Sequence, residues 1–177
     1  MKKTLLFVLI VFLILILGGL WYRSCSKINI QKRREMSVRE VPGIVLNPLT
    51  ESAFRLNEYP YDSFLIILLF SRECDFCLYE LEELKRHHPF LHEASIFLVS
   101  FDPVPSLRQF EMDFRSVDFP GMCLCHCPYD SLVKHFGKLS VPDLYIYAQN
   151  GTLIEHFCGA TRMDAILGVL EEHSFIQ

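Results

Sequence analysis

The sequence predicts an α/β domain behind an apolar segment of membrane length. Three observations carry this. Residues 64–84, FLIILLFSRECDFCLYELEEL, open with seven consecutive apolar residues, Phe64 to Phe70, and step through Ser71-Arg72-Glu73. Leu78, Leu81 and Leu84 then recur every three residues. That is the pattern of a buried strand, a tight turn and an amphipathic helix. A second apolar run over 95–101 leads through Asp102-Pro103-Val104-Pro105 into another helical pattern. Towards the C-terminus, Gln149-Asn150-Gly151-Thr152 joins two short apolar runs as a hairpin turn before a closing helix.

In chain order, Lys2 and Lys3 precede an apolar run from Leu5 to Leu20, with Trp21, Tyr22 and Arg23 behind it. About 18 apolar residues is the lower end of what spans a bilayer as a helix, and Trp and Tyr favour the interface. Residues 1–23 are therefore expected to be an N-terminal transmembrane anchor. A cleaved signal peptide ending near Ser24-Cys25-Ser26, and a lipid attached at Cys25, are the rival readings. Residues 24–43 are polar and basic, ending in Pro42-Gly43, and read as a solvated linker. The positive-inside rule alone would leave the domain in the cytoplasm, whereas the short basic N-terminus resembles an export signal.

Residues 44–177 form the expected domain, and a chain of 177 residues leaves enough here for a real core. Its charge is lopsided. Residues 1–43 hold eight Lys or Arg and two Glu; residues 44–177 hold nine Lys or Arg and nineteen Asp or Glu. An acidic domain without a basic face argues against nucleic acid as a partner. The seven cysteines are few for a disulfide scaffold and odd in number, so one thiol at least has no mate within the chain.

Ile44-Val45-Leu46 and Ala53-Phe54-Arg55-Leu56 read as short strands, and Tyr59-Pro60-Tyr61-Asp62 as a turn. His87-His88-Pro89 ends the first helix of the domain, the histidines suiting the negative end of its dipole. Ser106 is expected to cap a helix to Arg115 with Leu107, Phe110 and Phe114 on one face. Alternation over 123–127 puts Cys123, Cys125 and Cys127 on one strand face and Leu124 and His126 on the other. These cysteines read as small buried apolar residues, with a soft-metal site or a regulatory thiol as alternatives. A short helix over 129–138, a strand over 144–148, a partner strand over 153–157 and a helix over 161–173 complete the domain. Cys158 reads as packing.

The chemistry is expected at Cys74 and Cys77. A helix N-terminus offers unpaired N–H groups and partial positive charge, which stabilise a thiolate. One sulfur can then attack a substrate disulfide and the other resolve the mixed disulfide. The competing reading is half of a zinc or copper site, completed by part of the cluster at Cys123, Cys125 and Cys127.

The segments FSRECDFC at 70–77, Glu80, FPGM at 119–122 and VPDLYIYAQNGTLI at 141–154, in this order, resemble the thioredoxin fold and, within it, the TlpA-like membrane-anchored thioredoxins. The resemblance covers residues 44–173. It implies a central mixed sheet flanked by helices, and a thiol–disulfide oxidoreductase that needs no cofactor because the Cys74/Cys77 disulfide carries the electrons. It implies that Val141-Pro142 is a cis bond beside that disulfide and presents backbone to the substrate. It assigns Glu80 to proton transfer, although a glutamate on a charged helix face is otherwise simply solvated. It places FPGMCLCHC as an added edge strand beside Ile96–Ser100. Its implied partners are oxidised exported protein substrates and a membrane electron donor. Its implied location is the bacterial inner membrane, single pass, with the domain in the periplasm. This chain departs from the family at Glu73, where tryptophan is usual, and at Asp75-Phe76 and Glu82, where proline is usual. Leu68 stands where thioredoxin itself keeps a buried aspartate. Glu73 and Asp75 flank the first thiol with negative charge and disfavour its thiolate, which suits a reductant or a slow exchanger.

Overall fold

The computed structural model describes residues 38–174; the expected anchor and most of the expected linker lie outside them. Seven strands form one mixed sheet: β1 (Val45–Pro48), β2 (Phe54–Arg55), β3 (Phe64–Phe70), β4 (Ala94–Ser100), β5 (Met122–His126), β6 (Asp143–Tyr147) and β7 (Leu153–Cys158). Four helices intervene: α1 (Asp75–Arg86), α2 (Val104–Phe114), α3 (Tyr129–Phe136) and α4 (Met163–Ser174). The strand order is β2-β1-β5-β4-β3-β6-β7. β3, β4 and β5 run parallel, and β1, β2, β6 and β7 join antiparallel. Among the described residues no helix is long and apolar enough to cross a membrane.

The unbroken apolar run of β3 follows from its place. It lies between β4 and β6, and both of its faces are covered, so every residue from Phe64 to Phe70 is buried. Phe64, Ile66, Leu68 and Phe70 meet Leu81 and Leu84 of α1, Leu107 and Phe114 of α2, and Ile166 and Leu170 of α4. Leu65, Ile67 and Leu69 face the other layer, with Leu132 and Phe136 of α3 and Tyr145 and Tyr147 of β6. The pleat thus divides one apolar strand between two cores.

Three sequence expectations need correction. β5 lies beside β4, paired Ile96↔Met122 to Ser100↔His126, but it is not at the edge. β1 adds outside it through Asn47↔His126 and Pro48↔Cys125, and the two-residue β2 closes that side. So short an outer strand leaves little open edge for another chain to pair with. Residues 38–43 are not free linker. Val38 is buried, Val41 packs against the second core, and the Leu153 N–H donates to the Arg39 carbonyl (2.8 Å) while Val41 N–H donates to Gly151 (3.0 Å). Finally, α2 begins at Val104 rather than at a Ser106 cap. Pro105 sits in its first turn, where a missing N–H costs nothing and the fixed φ suits the helix. Ser106 instead receives the Arg72 guanidinium on its hydroxyl and carbonyl.

Gly121 sets the entry to β5. Its φ is 82°, and a Cβ there would stand 2.9 Å from the Ala94 carbonyl oxygen. The Gly121 carbonyl in turn accepts from Ile96 N–H at 2.7 Å. Gly121→Ala is therefore expected to destabilise the domain by about 1–3 kcal/mol, read as a lowered urea midpoint with an unchanged m-value.

Candidate functional site

The turn that delivers Cys74 is held from the far end of β4. Asp102 accepts from the Ser71 hydroxyl (3.0 Å) and from the Arg72 backbone N–H (2.7 Å), and Ser71 Oγ accepts from Glu73 N–H (3.3 Å). Asp102 is itself pinned by its N–H to Ser100 Oγ at 3.1 Å. In the sequence, Asp102-Pro103 reads only as a turn. Its reach of 31 positions back to Ser71 leaves no local signal.

Cys74 then occupies the N-cap of α1 with extended backbone, φ −103° and ψ 107°. Its Sγ accepts the Cys77 backbone N–H at 3.2 Å, the place a capping hydroxyl or carboxylate would take. Its own S–H is 3.7 Å from the Val141 carbonyl. The Val141–Pro142 bond is cis, and Cys74 and Val141, 67 positions apart, meet here. Cys74 is half-buried and Cys77 fully buried, and both are free thiols. Burial, first, and the Cys74 sulfur and Glu80 charge, after it, hold the Cys77 thiol well above its ordinary range; a backbone hydrogen bond at Ser71 offsets part of this. Around the pair, Phe76 (69% exposed) and Tyr79 (61%) present bare aromatic surface.

Glu80 is not solvated. One turn beyond Cys77, it points into the first core, 1% exposed, and neither carboxylate oxygen has a hydrogen-bond partner among the described residues. Burial pushes its carboxyl up to about 7, with the Asp143 charge adding to the effect. The Thr161 backbone N–H lies towards it and offsets part of the cost without reaching full hydrogen-bond geometry. A carboxyl that titrates near neutral pH beside a buried thiol can give or take a proton there.

Asp143 carries no sequence signal beyond the entry to a strand. It directly follows Pro142, is 4% exposed, and accepts from the Tyr145 hydroxyl (2.9 Å), with His156 Nε2 2.6 Å from its other oxygen. The Tyr145 and His156 rings stack with centroids 4.2 Å apart. Both partners come from alternating strand positions, Tyr145 two along β6 and His156 opposite it on β7. This cluster fixes the first residue of β6 beside the cis bond.

Cys123, Cys125 and Cys127 share a face, as alternation predicts, with Cys125 and Cys127 buried in the second core and Cys123 packed against it. Cys77 is buried in the first core, and Cys74 packs against that one. The sheet therefore separates the two sets, and a metal site combining them is not assembled. Among the described residues no three His, Cys, Asp or Glu side chains gather as metal ligands.

No family model matches the chain. No curated protein matches it either. Solved structures do. DsbF of Mycobacterium tuberculosis, in mixed oxidised and reduced forms, superposes with a TM-score of 0.63 at 14% identity, over 77% of this chain and 96% of that one. The pneumococcal exposed lipoprotein thioredoxin of Streptococcus pneumoniae gives 0.56 at 19% identity, over 72% and 97%. A secreted M. tuberculosis disulfide oxidoreductase homologous to E. coli DsbE gives 0.61 at 12%, over 73% and 96%. At these identities the likeness establishes the fold of residues 38–174.

Proposed function

We propose that this chain, which has the thioredoxin fold, is a thiol–disulfide oxidoreductase that exchanges electrons with protein disulfides through Cys74 and Cys77, and that it works as a reductant. The observation that carries the reading is the asymmetry of the pair. Cys74 is partly accessible at the positive end of α1, with its sulfur already accepting a backbone N–H. Cys77 is buried and held protonated, with Glu80 as the adjacent carboxyl. The accessible thiol attacks and the buried one resolves.

In the first step the Cys74 thiolate attacks a substrate sulfur. A Cys74–substrate disulfide forms, the substrate S–S bond breaks, and one substrate thiolate leaves. In the second step Glu80 accepts the Cys77 proton, and the Cys77 thiolate attacks Cys74 Sγ. The mixed disulfide breaks, the second substrate sulfur departs as a thiolate that can recover the proton from Glu80, and a Cys74–Cys77 disulfide remains. Two electrons have passed from protein to substrate. The Val141 carbonyl, 3.7 Å from Cys74, lies where an extended substrate backbone would run, so Val141 and Pro142 are the substrate-positioning residues. Exposed Phe76 and Tyr79 supply apolar contact beside it.

The finer placement follows the same reading. The N-terminal apolar run of residues 5–20 anchors the chain in the bacterial inner membrane with residues 44–177 facing the periplasm. The pneumococcal relative is described as an exposed lipoprotein and one mycobacterial relative as secreted, which supports an extracytoplasmic setting. Reduction of clients there needs a membrane electron donor to restore the dithiol.

Cys77→Ser supplies the test. It is expected to accumulate a mixed disulfide between Cys74 and a model peptide disulfide, stable on a non-reducing gel and mapped by mass spectrometry. A variant that forms no adduct, or forms it at another cysteine, contradicts the assignment of Cys74 as attacking thiol.

A further inference from the structure

The cysteines of β5 take no part in that reaction, and one of them is differently placed from the rest. Cys125 and Cys127 are fully buried. Cys123 is only partly buried and lines a cavity of about 310 Å³, together with Leu49, Phe119, Glu51 and Glu111. Its Sγ lies 3.7 Å from that of Cys125. The Cys125 S–H is thus in reach of a Cys123 thiolate, and this contact holds the Cys123 thiol below its ordinary range, against the opposing effects of burial, Glu51 and Glu111. Glu111 accepts from the Ser116 hydroxyl at 2.9 Å through one oxygen. Its other oxygen is buried with no hydrogen-bond partner among the described residues. The cavity therefore combines a partly accessible thiol, apolar walls and two carboxylates.

We propose that Cys123 is a modification site that takes small amine-bearing thiols into a persistent mixed disulfide, the thiols arriving as their symmetrical disulfides. The Cys123 thiolate attacks one sulfur of R–S–S–R. A Cys123–S–R bond forms, the R–S–S–R bond breaks, and the departing RS⁻ takes a proton from water. Cys123 is oxidised as half of the reagent is reduced. The ammonium of R lies against the Glu51 and Glu111 carboxylates that line the cavity.

The adduct persists because Cys125 is badly placed to resolve it. Same-face residues two apart on a strand have Cα atoms about 6.5–7 Å apart, at or beyond the limit for a disulfide. Cys127 is directed elsewhere, its S–H 3.7 Å from the Val45 carbonyl. Cys74 differs in this respect, since its resolving partner is one helical turn away. The two sites are chemically distinct: one turns over and the other stores a small thiol.

The test uses the full chain carrying Cys74→Ser and Cys77→Ser, treated with cystamine (dicationic) or dithiodiglycolate (dianionic) and followed by intact mass and peptide mapping. One half-cystamine adduct at Cys123 is expected, forming about tenfold faster than the dianion's adduct at low ionic strength, with the ratio shrinking in high salt. Glu51→Gln with Glu111→Gln should bring the two rates together. Three results would overturn the proposal. Cys123 could stay unmodified while the exposed Cys158 reacts. The two reagents could react at equal rates before the carboxylates are removed. The adduct could be lost to a Cys123–Cys125 disulfide, seen as a mass two hydrogens lower with no added group. Cys125→Ala, checked for native near-UV circular dichroism, should slow the reaction without moving its site.

Discussion

Cys74→Ser is expected to lower the rate of disulfide exchange by on the order of 10³-fold or more, the largest effect of any single substitution in this protein. A hydroxyl at the N-cap keeps the hydrogen bond from Cys77 N–H, because serine is among the best capping residues. The fold should therefore survive, and the loss should be chemical. Serine has no accessible anion near neutral pH and cannot form a disulfide. Cys77 does not compensate, being fully buried and held protonated by burial. Cys77→Ser behaves differently. It leaves the first attack intact and blocks the second, so a burst of one bound substrate per protein precedes the stop. Single-turnover kinetics with a fluorogenic peptide disulfide separates the two variants. Equal residual rates for both would contradict the division of labour.

Glu80→Gln carries the second large effect, and it acts in two opposite directions. Removing the carboxylate removes the acceptor for the Cys77 proton, so resolution should slow by about 10²-fold or more, and the rate increase centred at about pH 7 should vanish. Stability should move the other way at alkaline pH. The carboxyl's ordinary value is 4.5 and its folded value about 7. As pH rises through this window the unfolded chain loses the proton first, so folding stability falls. The contribution is whole below about pH 4.5 and is lost by the time pH passes about 7. The penalty at pH 8 is of the order of 3 kcal/mol, from 1.4 kcal/mol per pKa unit. The glutamine variant should accordingly be about 1–3 kcal/mol more stable than the parent at pH 8 and gain nothing at pH 4, by urea denaturation at both pH values. A buried group that weakens the fold in the pH range where it titrates beside the resolving thiol is in keeping with selection for the reaction rather than for stability.

The parts of this arrangement that sequence revealed are those with a local signature. A seven-residue apolar run can only be a central strand when a turn and a helix follow so closely, and it proved to be β3, buried over its whole length. Asn150-Gly151 announced the β6–β7 hairpin, where Gly151 takes φ 82° and Asn150 Oδ1 accepts from Thr152 N–H at 2.9 Å. Cys74 and Cys77 were legible because spacing and helix start coincide in one stretch. Position within the sheet was not legible. The resemblance puts β5 at an edge, and its outer neighbour, β1, is only four residues long and pairs Asn47 with His126, 79 positions away. Val38 and Val41 flank Arg39 and Glu40, whose side chains stay exposed, so two anchoring positions read as linker. Asp102 and Asp143 follow the same rule. Each acts across separate strands or loops: Asp102 reads as part of a turn and Asp143 as the entry to a strand, and neither pattern names its partners. Glu80 shows the limit most clearly: helical spacing put it one position before Leu81, and only packing tells that its side chain goes inward.

The central claim is that Cys74 and Cys77 form one redox couple. Its most direct test is to equilibrate the protein in graded redox buffers, trap the thiols and map each cysteine by mass spectrometry. Cys74 and Cys77 should oxidise together as a single two-electron couple, tenfold in ratio per about 30 mV, with a midpoint more negative than about −180 mV for a reductant. Independent titration of the two thiols, or a pair that never closes at any potential, would contradict the account.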